Sequence, residues 1–323
     1  MPSGQFMSLE IIEMKRLILA LAIITVALSG CTEKAPSSDA IKNSLNHSAA
    51  NLSAYSFTIS DNQTGSIRDL VRNNITNSYN TTSRSDDTKV TAAIDLAGRK
   101  AEANVSTTTI IQGSTGSPIV GNSESTEFNV GNFTYIFQNG NWTQLKAPES
   151  AEAIWARGSF DLMKSRAISI SRTQAEVIGS ESVDGKDCYK LSLTLDNQTY
   201  LGTEYNLLVR ALYPFVPEAN QTDLLKSSKN ENTAWVEKDN NLLKKYQHTM
   251  NIQMVPNIIG VVNNQGNIQK LNQTMKLVEV TLASDSTETY TDYNKPVVII
   301  IPKAALNATL IVASPIQAAT ASG

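Results

Sequence analysis

The hydrophobic and polar positions of this chain fall into three regimes, and each predicts a different kind of element. Leu17 to Ala27 is an apolar run interrupted only by Thr25, preceded by Lys15 and Arg16 and followed by small residues. It is too short for a comfortable membrane span and has the build of a secretory signal. Further on, Ile41, Leu45, Ala49 and Leu52 recur at near-helical spacing behind Ser38 and Asp39. That spacing predicts a capped helix of about three turns with one apolar stripe. Tyr55 to Ile59 reads as a first strand. Asp61 to Asp87 is rich in Asn, Thr and Ser, with a weak helical stripe at Ile67, Leu70, Val71 and Ile75, and reads as loop with one short helix. From Lys89 onward the period becomes two, the signature of antiparallel strands joined by turns.

Val90, Ala92, Ile94 and Leu96 alternate up to Ala97-Gly98, and Ala101, Ala103 and Val105 alternate after it, which predicts a hairpin. A second hairpin is centred on Asn139-Gly140, the dipeptide that best tolerates positive φ at both central positions of a type I′ turn. That turn sets Phe137 opposite Trp142, with Phe133 and Tyr135 on the same side and Asn132, Thr134, Gln138, Asn141 and Thr143 on the other. A third turns at Asp184-Gly185, after which Tyr189, Leu191, Leu193 and Leu195 alternate with polar neighbours. Later strands are predicted over 234–238, 242–254, 275–283 and 296–301. Two segments, 149–169 and 206–228, break the pattern with apolar clusters and read as partly helical covers for the sheet, the second limited to short pieces by Pro214 and Pro217. Residues 306–323 read as a tail.

Leu28-Ser29-Gly30-Cys31 resembles the lipobox of prokaryotic lipoproteins. In that family the cysteine is lipidated and becomes the mature N-terminus, so residues 1–30 are expected to be a signal peptide, Cys31 an anchor and 31–39 a polar tether. Cys188 is then the remaining cysteine, and no internal disulfide is available. A lone cysteine in a strand reads as a small buried hydrophobe rather than a reactive thiol. Twelve Asn-x-Ser/Thr sequons, among them Asn132, Asn141, Asn197 and Asn272, suggest a glycosylated cell surface. An Asn- and Thr-rich solvent face would also generate them passively. Together with a prokaryotic lipobox they point to an archaeal envelope.

Hydrophobic residues make up 41% of the chain and the formal charge is −3, without a cluster of Lys and Arg, so nucleic acid is not an expected partner. Histidine is limited to His47 and His248, neither in a metal motif. No Walker loop, GxGxxG, HExxH or GxSxG is present, so no catalytic residue, metal site or cofactor is assigned and the expectation is a protein that is not an enzyme.

The order of elements over 41–304 resembles the superfamily of LolA/LolB lipoprotein carriers and LppX/LprG-type lipoproteins. The matching residues are a helix running into Leu52-Ser53-Ala54-Tyr55-Ser56-Phe57, then Gly131-Asn132-Phe133-Thr134-Tyr135 with Asn141-Trp142, and Val183-Asp184-Gly185 through Leu191. Trp235-Val236-Glu237-Lys238 and the closing Tyr290-Thr291-Asp292-Tyr293-Asn294-Lys295-Pro296-Val297 complete them. The resemblance implies an α+β fold over 40–305, an open half-barrel of antiparallel strands whose concave face is covered by helices. It also implies an apolar cavity that takes a lipid or another hydrophobic molecule. Trp155, Phe160, Met163, Leu208, Leu212 and Phe215 are the candidates for its lining. If packing is incomplete the space binds a ligand, and if complete it is an ordinary core. The expected protein is membrane-anchored and extracytoplasmic, a lipid carrier or shield. The alternatives are a structural lipoprotein that contacts envelope proteins and a sensor of a membrane regulator.

Overall fold

The computed structural model of the chain describes residues 36–70, 80–158, 160–194, 215–217, 228–263, 267–275 and 277–312. Residues from Ser38 onward form one unit. Its elements begin with α1 (Ser38–Ala50), β1 (Ala54–Asp69), β2 (Thr81–Asp95), β3 (Lys100–Gln112), β4 (Ile119–Val130), β5 (Phe133–Gln138) and β6 (Asn141–Lys146). Two helices follow, α2 (Ala151–Ala156) and α3 (Leu162–Arg172), then β7 (Gln174–Val183), β8 (Lys186–Thr194), β9 (Phe215–Pro217), β10 (Ser228–Glu237) and β11 (Leu243–Met254). The chain continues through β12 (Ile258–Val262), β13 (Ile268–Met275), β14 (Val278–Thr291), α4 (Lys303–Leu306) and β15 (Thr309–Val312).

Twelve strands form one open sheet in the order β15-β6-β5-β4-β3-β2-β1-β14-β11-β10-β8-β7, and β13-β12-β9 form a second. Pairing is antiparallel throughout the large sheet except between β15 and β6. The turns anticipated from sequence are in place. Asn139 and Gly140 have φ of 52° and 79°, Asp184 and Gly185 have 48° and 75°, and Phe137 faces Trp142 across the ladder.

Three expectations are corrected. Residues 61–69 and 81–87 are strand rather than loop with a short helix, so that β1 runs sixteen residues, about 53 Å at the usual strand rise. Residues 296–301 belong to no strand. Thr309–Val312, within the expected tail, pairs with β6 and forms an edge of the sheet.

Curvature follows from the main core. Ile94 of β2 and Ala101 of β3 share one apolar cluster with Leu191 and Leu193 of β8, together with Ile41, Leu45 and Ala49 of α1 and Met163, Ala167 and Ile170 of α3. In a flat sheet β3 and β8 would stand about 29 Å apart, at six strand spacings. The sheet therefore curls around α1 and α3 as a half-barrel, with these helices on its concave face. Asp161 caps α3 by accepting from Lys164 N at 3.0 Å, and its Oδ1 also accepts from the Tyr55 hydroxyl at 3.0 Å. That hydroxyl in turn accepts from Met163 N at 3.0 Å, which fixes the helix start to β1.

A second cluster lies at the other end of the concave face. Met250, Ile252, Val278, Val280 and Leu282 are closed there by Ile258 of β12 and Leu271 of β13. A third sits on the convex side, where Phe128 and Tyr135 are covered by Val297, Ile299, Ile301 and Ala305 of the C-terminal segment. The aromatic face of the Asn139-Gly140 hairpin thus points away from the helices.

Candidate functional site

Side chains alternate across each strand, so cross-strand partners two residues apart form rows on one face. On the concave face the rows through Tyr55 and Phe57 carry Ile94, Ala101, Tyr290, Ala92 and Ala103. The next row contains Tyr246, Glu288, Ile59, Val90 and Val105. Beyond it the character changes. The row through Asp61 reads Asn232, His248, Ser286, Asp61, Thr88, Thr107 and Ser123, polar on each of seven neighbouring strands. The following row includes Ser284, Gln63, Asp86 and Thr109, after which apolar residues return with Leu282, Ile252, Val280 and Ile67. A polar belt therefore crosses the concave face between two apolar clusters.

Hydrogen bonds order the belt. Gln63 Nε2 donates to Asp61 Oδ2 at 2.7 Å, and Ser284 Oγ donates to Asp61 Oδ1 at 3.3 Å. The Thr88 and Thr107 hydroxyls meet at 3.1 Å. Asp86 accepts from Thr109 Oγ1 at 2.5 Å and from Arg84 through two nitrogens at 2.6 and 3.0 Å. Burial works to raise the Asp86 carboxyl, but Arg84 and Thr109 outweigh it and hold it below the usual range. Tyr246 Oη and His248 Nδ1 both stand 2.8 Å from Asn232 Oδ1, and Asn232 Nδ2 donates to Asn230 Oδ1. With Asn232 Oδ1 as the acceptor, a neutral His248 carries its proton on Nδ1 and leaves Nε2 as an acceptor. Burial, reinforced by the Arg166 guanidinium, holds His248 below its ordinary value against the opposing carboxylates of Asp61, Glu288 and Asp285.

One ion pair separates belt from core. Arg166 of α3 reaches Glu288 of β14 with Nε at 2.9 and 3.1 Å from the two oxygens, and lies 4.7 Å from the Tyr246 ring centroid. The Glu288 side chain is 3% exposed and also accepts from the Tyr290 hydroxyl at 2.6 Å. Hydrogen bonds and charge from Glu288 overcome the effect of burial and hold Arg166 above its ordinary value.

Two sets of side chains share the middle of the face. Ile59, Val90 and Val105 are half-buried and belong to none of the three apolar clusters. Asp61, Thr88, Thr107, Ser286 and His248, one row further on, are half-buried too. Sequence reading missed this place, because the signal it used was apolarity.

The residues chosen by that signal are placed as follows. Met163 is fully buried in the main core, Trp155 is 8% exposed in the same cluster, and Phe160 packs beside it with ring centroids 5.3 Å apart. Trp155 Nε1 donates to Gly131 O at 2.8 Å. Leu208, Leu212 and Asn197 lie outside the described residues, as do Cys31 and the side chains of Phe215 and Asn272. Asn141 is exposed at the hairpin tip, and Asn132 is half-buried with Nδ2 donating to Glu149 O at 3.2 Å. Cys188 is buried, and burial pushes its thiol up to about 11.

Two grooves of about 400 and 340 Å³ lie on the convex face, lined chiefly by polar side chains such as Ser60, Asn62, Thr64 and Ser83. Neither is the apolar space expected from the sequence. Among the described residues no three His, Cys, Asp or Glu side chains come together as a metal site, and no helix is long and apolar enough to cross a membrane.

No protein-family model and no curated protein sequence matches the chain. Its structural neighbours include LprF from Mycobacterium bovis, 13% identical over 83% of this chain and 97% of that one, with a TM-score of 0.35. Mycobacterium tuberculosis lipoprotein LppX is 12% identical over 81% and 98%, with a TM-score of 0.34. A LolA superfamily protein from Nitrosomonas europaea is 11% identical over 82% and 96%, with a TM-score of 0.19. At such scores the functional reading rests on the residues of the concave face.

Proposed function

We propose that this chain is an exported lipoprotein, anchored through Cys31 at the extracytoplasmic face of the cell membrane, that binds a lipid or another hydrophobic molecule on the concave face of its half-barrel. Ile59, Val90 and Val105 carry this reading: apolar side chains, half-buried and outside the three clusters formed by the described residues, in the middle of an inward face. Apolar side chains that stand apart from a closed core are characteristic of ligand-binding surfaces.

An alkyl chain laid along this row leaves one apolar surrounding for another. It avoids the cost of about 0.8 kcal/mol per methylene exposed to water, and no nucleotide is required. Trp155, Phe160 and Met163 would form the closed floor at one end of the trough, and Leu208, Leu212 and Phe215 its cover. The tether of residues 31–39 would keep the protein at its donor membrane as carrier or shield. Asn132, Asn141, Asn197 and Asn272 are the proposed glycan acceptors.

The test is lipid mass spectrometry on the Cys31→Ser protein, secreted without its anchor and purified without detergent. Stoichiometric lipid is expected. A folded protein that carries none, refuses added lipid and is retained by envelope proteins would replace this reading with a structural lipoprotein.

A further inference from the structure

The Asp61 row, with the Gln63 row beyond it, interrupts an inward face that is apolar at either end. Polar groups turned inward are costly unless they are hydrogen-bonded or meet water or ligand, and a sheet that needed only a core would be apolar here as it is on both sides. The row is also contiguous: Ser286, Asp61, Thr88 and Thr107 occupy four neighbouring strands, and Asp61, Thr88 and Thr107 each stand about 7 Å along their strand from Ile59, Val90 and Val105, while Ser286 stands as far from Glu288. The concave face is thus crossed by an apolar strip and, beside it, a polar strip, both half-buried.

Charge narrows what the polar strip can hold. Among the described residues, the two guanidinium groups that reach this part of the face are already engaged, Arg166 by Glu288 and Arg84 by Asp86. Among the described residues Asp61 has no cation within salt-bridge range; its partners are the Gln63 amide and the Ser284 hydroxyl. His248 leaves Nε2 as an acceptor when neutral. The strip can accept hydrogen bonds from a ligand, and the described residues offer it no free positive charge for a phosphate or carboxylate.

We propose that the Asp61 row is a head-group site for an amphiphile whose polar end donates hydrogen bonds and carries no negative charge, with its alkyl chain on the Ile59 row. This rests on the reading that the concave face binds a hydrophobic molecule. Hydroxyl and ammonium groups share the required chemistry, and Asp61 is the acceptor that selects for them.

Four probes with the same twelve-carbon chain separate the possibilities: monododecanoyl glycerol, dodecylamine, methyl dodecanoate and dodecanoate, titrated below micelle formation into the Cys31→Ser protein. Either the glycerol ester or the amine should bind about tenfold more tightly than the methyl ester, the worth of one charge-assisted hydrogen bond, and dodecanoate should bind most weakly. Which of the two donors leads distinguishes a hydroxyl from an ammonium head. Asp61→Ala, with an unchanged melting temperature, should reduce that preference to about twofold or less, and Thr88→Val should reduce it partly.

A methyl ester that binds as well as both donors, a lead by dodecanoate, or a preference that survives both substitutions would overturn the head-group site and leave hydrophobic binding standing. Failure of all four probes to bind would instead remove the underlying reading.

Discussion

Tyr55 and Asp61 lie on the same face of the same strand, six residues or about 20 Å apart, and they serve different ends. Around Tyr55 the helices close the sheet. Its ring is fully buried beside Phe57 and Tyr290, and its hydroxyl joins Asp161 and Met163 N. Around Asp61 the same pleat carries hydroxyls, amides and a carboxylate at half-burial. The main buried apolar cluster lies where α1 and α3 meet the sheet. The middle of the concave face is left with side chains that the core does not use, and Arg166 with Glu288 stands at the boundary.

This contrast can be broken by comparing substitutions in the two regions. Met163→Ala removes a fully buried side chain from the closed end and should cost about 3 kcal/mol in denaturant unfolding, whereas Val90→Ala in the half-buried row should cost less than about 1. Equal costs would mean that the middle is core as well. At the boundary, Arg166→Ala leaves Glu288 buried without its cation. The expected loss is about 2 kcal/mol, moderated because the arginine side chain is 34% exposed. Tyr55→Phe removes a buried hydroxyl that both donates and accepts, and should lower stability by about 1.5 kcal/mol while ligand binding stays unchanged.

The smallest effect concerns pH. His248 titrates lower in the folded protein than in the unfolded chain, so the unfolded chain takes up its proton first as pH falls. Stability contributed by the neutral imidazole is therefore present above the ordinary histidine range and is lost on acidification through it. His248→Gln should make the melting temperature less sensitive to pH between about 7 and 5, and an identical pH profile would mean that burial does not hold the imidazole neutral.

The same division explains what could be read from the sequence. Val90, Ala92 and Ile94, the stripe Ile41-Leu45-Ala49 and the Asn139-Gly140 turn were legible because period, cap and turn chemistry agree with the fold around them. Residues 61–69 and 81–87 were not. With Asp61, Gln63, Asp86 and Thr88 inside, and Asn62, Thr64, Ser83 and Ser85 outside, these strands are polar on both faces and imitate a loop. The polar row of the candidate site lay hidden for the same reason, while the large apolar residues Trp155 and Met163 belong to the main core that closes one end of the face. Val297, Ile299 and Ile301 alternate as a strand would, yet they cover Phe128 and Tyr135 by packing without joining a ladder.

The most direct test of the account fills the trough without touching the core. Val105→Trp places a large side chain on the half-buried apolar row, and its co-purified lipid can be weighed against that of the unsubstituted protein by mass spectrometry, with unfolding midpoints measured on both. The account predicts lipid bound to the unsubstituted protein, little or none bound to Val105→Trp, and closely similar midpoints. An unchanged lipid load in the folded variant would contradict it.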